Sequence, residues 1–187
     1  YSDSRGKGGG LYAHGVNFSI SECIFQGNRA RQRGGAAYLL DTNATFSNCT
    51  FSNNRGSGLG SGLGYAGAIY SKDVILVLNS CQFNNNQADL DGGAIFAEYS
   101  EINATSCTFS GNQNTTNNGG GAWALKFCTL IENHGTYTSN YSASSGGSID
   151  ATDSNITITY AQFSSNQSLF YGAGGQFIDC NTTISSS

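Results

Sequence analysis

Short apolar runs alternate with polar residues along the whole chain and return at near-constant intervals. In one interval the runs are Ile95-Phe96, Ile102 to Thr105 and Cys107-Thr108-Phe109. Each has the alternation of a short strand and is bounded by glycine or asparagine. The trio recurs as Leu11-Tyr12, Phe18-Ser19-Ile20 and Cys23-Ile24-Phe25, and again as Ala37-Tyr38-Leu39, Ala44-Thr45-Phe46 and Cys49-Thr50-Phe51. A further copy is Ile69-Tyr70, Val74 to Leu78 and Cys81-Gln82-Phe83. No stretch holds a helical apolar stripe over three turns, and glycine is everywhere, so helices are not expected.

Two motifs punctuate the runs. A small-residue pair stands at Gly9-Gly10, Gly34-Gly35, Ala66-Gly67, Gly92-Gly93, Gly120-Gly121, Gly146-Gly147 and Gly174-Gly175. Phe-x-x-Asn follows at Phe25/Asn28, Phe51/Asn54, Phe83/Asn86, Phe109/Asn112 and Phe163/Asn166, with Leu130/Asn133 as a degenerate copy. The pairs recur about every 25 to 32 residues, and a near-fixed period in this range marks a solenoid. Three strands per rung, stacked in register, predict an all-β fold: a right-handed parallel β-helix of about six to seven rungs. It is read as a single domain, 1–187, with rungs starting near residues 9, 34, 66, 92, 120, 146 and 174.

Stacking places like residues about 4.8 Å apart. Phe25, Phe51, Phe83, Phe109 and Phe163 are then expected to form an inner aromatic column. Asn28, Asn54, Asn86, Asn112, Asn133 and Asn166 are expected to form an amide ladder at a corner. Cys23, Cys49, Cys81 and Cys107 share another column, with Cys128 in the matching place of rung five and Cys180 elsewhere. They are expected as buried free thiols or as the bridges Cys23–Cys49 and Cys81–Cys107. No Cys-x-x-Cys or histidine cluster points to a metal. The spacing from Gly35 to Cys49 is repeated from Gly67 to Cys81 and from Gly93 to Cys107, and Gly10 to Cys23 is one shorter. Gly121 to Cys128 is only half as long. That shortfall predicts a truncated rung five with the loop from His134 to Ser145 folded over the gap. Other insertions, the largest from Gly56 to Gly64, are expected to leave from one edge.

Composition changes the picture little. Charged residues make up 11%, proline is absent, and the net charge of −4 leaves no basic stripe for nucleic acid. No apolar run spans a membrane. With neither an initiator methionine nor a signal peptide, the chain reads as processed or as a segment of a longer one. Asn-x-Ser/Thr occurs nine times, where this composition gives roughly four by chance. Asn166 belongs to the ladder. Asn17, Asn43, Asn48, Asn103, Asn114, Asn140, Asn155 and Asn181 are the candidate carriers of N-linked glycans, with Asn43, Asn155 and Asn181 forming an outward row.

Gly92-Gly93-Ala94-Ile95 and Phe109-Ser110-Gly111-Asn112 resemble the paired repeats of the chlamydial polymorphic outer membrane proteins, and the similarity runs along essentially the whole chain. The resemblance implies a surface-exposed β-helix with roles in adhesion and self-association; the sequon excess points to a eukaryotic relative. The expectation is a non-enzymatic extracellular structural or adhesive glycoprotein, with no cofactor beyond covalent glycans. Its partners would be copies of itself, stacked head-to-tail through uncapped ends into a homopolymer, and cell-surface glycans or proteins.

The competing readings are a carbohydrate-binding adhesin domain and a polysaccharide lyase or hydrolase. The enzyme would need clustered acids, for which Asp89 with Asp91 and Asp150 with Asp153 are the candidates. No lysine or arginine column accompanies them in the sequence, and His14 and His134 are isolated. Thr157 and Thr159 would sit beside Val77, Asn79, Thr105 and Cys107, too irregular a row for ice binding. Arg29, Arg31 and Arg33 are the one basic cluster, read as a solvated loop or a docking spot for an acidic neighbour.

Overall fold

The computed structural model describes residues 3–4, 6–58, 64–116 and 119–186. It is a right-handed parallel β-solenoid of about six turns, and no described residue is helical, so no helix is long and apolar enough to cross a membrane. Every strand pair among the described residues is parallel and joins neighbouring rungs. The first two predicted runs are legs of one bent sheet. They are continuous as Ala37–Ser47 and Ile69–Asn79, and elsewhere are broken into pairs such as Ile95–Glu98 and Glu101–Thr105. The phenylalanine runs form a six-stranded sheet. A third sheet of seven two-residue strands, Arg29–Ala30 and Arg55–Gly56 among them, was not anticipated.

Each rung turns through left-handed backbone at its corners. Gly34, Asp41, Asn48 and Asn53 do so in rung two, and Gly92, Tyr99, Ser106 and Gly111 in rung four. Asparagine, aspartate and glycine tolerate this conformation; a bulky residue such as Tyr99 is held there by its surroundings. Side chains brace two of the corners. Just after one bend, Ser100 Oγ donates to Glu98 O, Cys128 Sγ to Lys126 O and Ser154 Oγ to Thr152 O. At the next, Cys49 Sγ lies 3.4 Å from Ser47 O and Cys107 Sγ 3.5 Å from Thr105 O. The thiols therefore take the place of hydroxyls, and all six cysteines are free, with neither Cys23–Cys49 nor Cys81–Cys107 bridged.

The interior is columnar. Phe25, Phe51, Phe83, Phe109, Tyr137 and Phe163 stack with centroids 4.7–5.0 Å apart and planes within 3–5° of parallel. Each fully buried ring contributes about 2 kcal/mol relative to exposure. At the adjoining corner Asn54 Nδ2 donates to Asn86 Oδ1 at 3.0 Å and to Phe25 O at 2.8 Å, and Asn54 N donates to the same Asn86 oxygen. The pattern repeats through Asn112, Asn140 and Asn166. Backbone and side-chain donors at a buried corner are thus paired without water.

Several register expectations are corrected. Rung five is complete: Gly135 stands as far beyond Gly121 as Cys107 does beyond Gly93, and it occupies the cysteine position. Ala161 holds that position in rung six, as its spacing from Gly147 predicts. Tyr137 and Asn140, not Leu130 and Asn133, supply the aromatic and ladder positions of rung five. Cys128 belongs one corner earlier, in register with Ser100 and Ser154, and Cys180 shares that column. The segment from His134 to Ser145 is no covering loop, since it contains the strands Thr136–Thr138 and Tyr141–Ser142. Gly9, not Gly10, matches Gly35, and Ala173, not Gly175, follows Gly147. In each case the ideal Cβ of one glycine falls within 2.4 Å of the next rung's carbonyl oxygen. With Gly9 in place, the spacing to Cys23 equals that of the later rungs. The centre of the Gly56–Gly64 insertion, residues 59–63, lies outside the described residues.

Candidate functional site

On the first leg, alternate residues point out of the solenoid. In register, Tyr38, Tyr70, Phe96, Ala124, Asp150 and Gln176 form one outward column, and Leu40, Lys72, Glu98, Lys126, Thr152 and Ile178 the next. Segments after the asparagine corners fold over this wall, so Tyr38, Tyr70 and Phe96 are nearly buried although they lie outside the main core. Arg33 donates to the Tyr70 hydroxyl at 3.0 Å and sits 4.9 Å over its ring, and Tyr70 donates to Glu98. Burial and the Glu98 carboxylate push the Tyr70 phenol well above its ordinary value.

Further along this wall the aromatic column gives way to Ala124 and Asp150, and a cavity of about 220 Å³ opens. Lys126 Nζ lies 3.1 Å from Asp91 Oδ2, with Asp91 almost fully buried and Lys126 about half exposed. Asp150 lines the same cavity with Ser144, Ser145 and Gln176. Burial, reinforced by Asp91 and opposed by Lys126, raises the Asp150 carboxyl to about 6. Burial also raises Asp91 against the pull of Lys126, whereas Lys126 is raised because Asp91 outweighs the desolvation of its ammonium. The two directions pull apart on whether the pair is ionised; the 3.1 Å contact is that of an ion pair and decides for the charged form. The site therefore combines a fixed ion pair with a second carboxyl able to exchange a proton near neutrality.

The two acidic pairs picked from the sequence are thus divided. One member of each, Asp91 and Asp150, converges here with a lysine that the sequence alone does not connect to them. Asp89 instead pairs with Arg55 at 3.1 Å, and Asp153 occupies an exposed left-handed corner. His14 lies 3.3 Å from Asp41 on the surface, and His134 stacks on Tyr160. Thr157 is flanked by Ile131, then Asn103 and Val77, and Thr159 by Asn133, then Thr105 and Asn79, so Val77, Asn79 and Thr105 are neighbours as expected and Asn103 replaces Cys107.

The candidate glycan carriers also separate. Asn17, Asn43, Asn155 and Asn181 are exposed and share one outward column of the second leg, interrupted by Ile75, Glu101 and Thr129. Asn48 is exposed at a corner and Asn103 is half-buried on the same leg. Asn114 and Asn140 are corrections: both are fully buried. Asn114 donates to Leu90 O and Gly119 O, and Asn140 is part of the ladder, so neither amide nitrogen is open to a glycan.

Sequence reading missed one further group. Glu132 points into the core of rung five, in register with Ala104 and Ile158. It is fully buried, and neither carboxylate oxygen has a partner in hydrogen-bond geometry. Gly135 makes room for it, since a Cβ there would lie 1.7 Å from Oε1. The nearby Trp123 Nε1 donates to the Tyr137 hydroxyl at 3.1 Å. Burial lifts the carboxyl from 4.5 to about 7, and the Tyr137 hydroxyl restrains the rise. The signal was the parallel between Cys128-Leu130-Glu132 and Ser154-Ile156-Ile158.

Comparison with known families matches residues 2–133 to the right handed beta helix region, more than half of the chain. The chain belongs to the right handed beta helix family. No curated protein and no solved structure matches it. The β-helix family holds both enzymes and non-enzymes, so the function of this β-helix has to be argued from its own walls.

Proposed function

We propose that this β-helix is a non-enzymatic extracellular structural or adhesive glycoprotein, with surface glycans, surface proteins or further copies of itself as partners. The observation that supports this most is the exposed asparagine column. Four sequons stand in one outward column, while Asn140 is buried in the ladder, Asn114 is buried against a loop, and the half-buried Asn166 spends its amide on the ladder. Glycans at Asn17, Asn43, Asn155 and Asn181 would sheathe that face and leave the others open for contact. The paired Gly-Gly-Ala and Phe-x-x-Asn motifs support the same placement among surface β-helices of the polymorphic outer membrane type. Because all rungs share one cross-section, association between copies would reuse the ladders that join rungs within a chain. Site-resolved glycopeptide mapping of the native protein tests the reading: occupancy at these four and none at Asn114, Asn140 or Asn166 supports it, and four bare sites reject it. Light scattering tests self-association.

A second reading rests on the Asp91–Lys126–Asp150 cavity, whose proton-exchanging carboxyl beside an ion pair suits acid–base cleavage of a polysaccharide. Turnover of pectate, alginate or glycosaminoglycan that inflects near the Asp150 value of about 6 and disappears in Asp150→Asn would establish it. An inert protein would remove it.

A further inference from the structure

We propose that Lys126 and Asp91 condense to an intramolecular amide that ties the loop leading into rung four to the outer wall of rung five, with Asp150 carrying the proton. The reacting groups are already in contact: Lys126 Nζ lies 3.1 Å from Asp91 Oδ2, and the Asp91 side chain is only 5% exposed. The loop and the strand Trp123–Lys126 hold the two ends of this contact in place. Gly119 abuts both carboxyls. Its backbone N–H donates to the Asp91 carboxylate, and beside Asp150 Oδ2 it leaves no space for a side chain. Phe96 closes another side, its ring centroid 5.2 Å from Nζ, and the cavity of about 220 Å³ lined by Asp150 gives an expelled water a way out. Lys72 stands in the same outward column but over the Tyr99 ring, so the arrangement is particular to Lys126.

Free in water, an ammonium and a carboxylate stay hydrated and do not condense. Fixed contact supplies an effective molarity of about 10⁵ M or more, and burial removes the hydration that favours the ions over a neutral amine and acid. The proton bridging Nζ and Oδ2 passes to oxygen, leaving those neutral partners. The Nζ lone pair then attacks Asp91 Cγ, the C–N bond forms, and the carbonyl pair moves onto oxygen, where the Gly119 N–H already donated to this carboxyl meets the charge. The Asp150 carboxylate takes a proton from the now cationic Nζ and hands it to the departing hydroxyl, which leaves as water. One ammonium and one carboxylate become one amide and one water. Asp150 is regenerated, and no oxidant, reductant or cofactor is consumed. A carboxyl held at about 6 suits both halves of that transfer near neutrality. The ion pair and the Asp150 titration described above belong to the chain before the bond forms.

The test is intact-mass spectrometry of the full, unglycosylated chain, refolded from denaturant and sampled over days. Wild type should lose the mass of one water, and protease digestion should release a branched peptide joining Asp91 to Lys126. Lys126→Arg keeps the charge but cannot form the bond, so its mass should stay full, whereas Lys72→Gln should lose water as wild type does. Asp150→Asn should slow the loss about a hundredfold. In wild type the loss should quicken as pH rises through about 6, where Asp150 becomes a carboxylate able to accept the proton. Thermal melts confirm that the variants fold. Asp91 precedes Gly92, and cyclisation of that pair to a succinimide also expels one water. A succinimide would persist in Lys126→Arg, open in mild base and give no branched peptide; finding it instead overturns the proposal. So does a wild-type mass that stays full, or an Asp150→Asn rate equal to wild type. Mass and polysaccharide turnover are read separately, so this bond can fail while the cleavage reading stands, and the reverse.

Discussion

Replacing Glu132 by glutamine separates the charge of the rung-five carboxyl from its shape. In the folded chain this carboxyl is held at about 7, against 4.5 ordinarily, chiefly by burial. The unfolded chain therefore loses the proton first as pH climbs. Stability is unaffected by this group below about 4.5, falls between about 4.5 and 7, and levels off above. The gap from 4.5 to about 7, at about 1.4 kcal/mol per pH unit, comes to about 3.5 kcal/mol in full, of which about 3 kcal/mol is expressed between pH 4 and pH 8. Glu132→Gln keeps the volume that Gly135 leaves open and removes the ionisation. Urea unfolding, followed through the single tryptophan, Trp123, reports on the same rung. Measured at pH 4 and pH 8, the stability of Glu132→Gln relative to wild type should rise by about 3 kcal/mol over that interval. Every other titrating group is common to both chains and cancels. A difference flat to within about 0.5 kcal/mol would show that the carboxyl is not buried as described.

Asn86→Ala removes the acceptor of two 3.0 Å bonds from Asn54 and strips Phe51 O of its donor. Urea unfolding should show a loss of about 3 kcal/mol or more, against less than about 1 kcal/mol for Asn133→Ala, which lies outside the ladder. Gly121→Ala would set a Cβ 2.0 Å from Gly147 O, whereas at Gly174 nothing lies within 4 Å. The first should cost about 3 kcal/mol and the second little, read as melting temperatures. Carboxyl NMR should find Asp150 titrating at about 6, moving down in Asp91→Asn and up in Lys126→Gln, because those charges raise and lower it respectively. A thiol reagent should label exposed Cys23 in the native protein, and Cys49, Cys81 and Cys107 only after unfolding.

The misplacement of rung five has one origin: its Phe-x-x-Asn motif is altered while its strand alternation is intact. Rung five changes Phe to Tyr137, Cys to Gly135 and an aliphatic residue to Glu132. The nearest phenylalanine-like pattern, Leu130 to Asn133, therefore draws the alignment one strand too early. The three changes make sense only together, as a cavity and the polar group that fills it. The Asp91–Lys126–Asp150 site was hidden for a different reason. Its members belong to separate rungs and meet only because one loop folds over a wall two rungs deep.

The repeat alone determined the solenoid, because an identical spacing of apolar residues can be buried all at once only by stacking. It also placed the phenylalanine and asparagine columns wherever Phe-x-x-Asn is intact, though not in rung five, where Tyr137 and Asn140 carry them. The tertiary structure decided where each rung turns. Most corners are held by aspartate, asparagine, serine or an aromatic residue in left-handed backbone, and nothing local in those residues requires it. The ladder above and below imposes the turn. It likewise decides which asparagines face solvent and which charged groups share a cavity, since both depend on what the next rung and its loops lay over them.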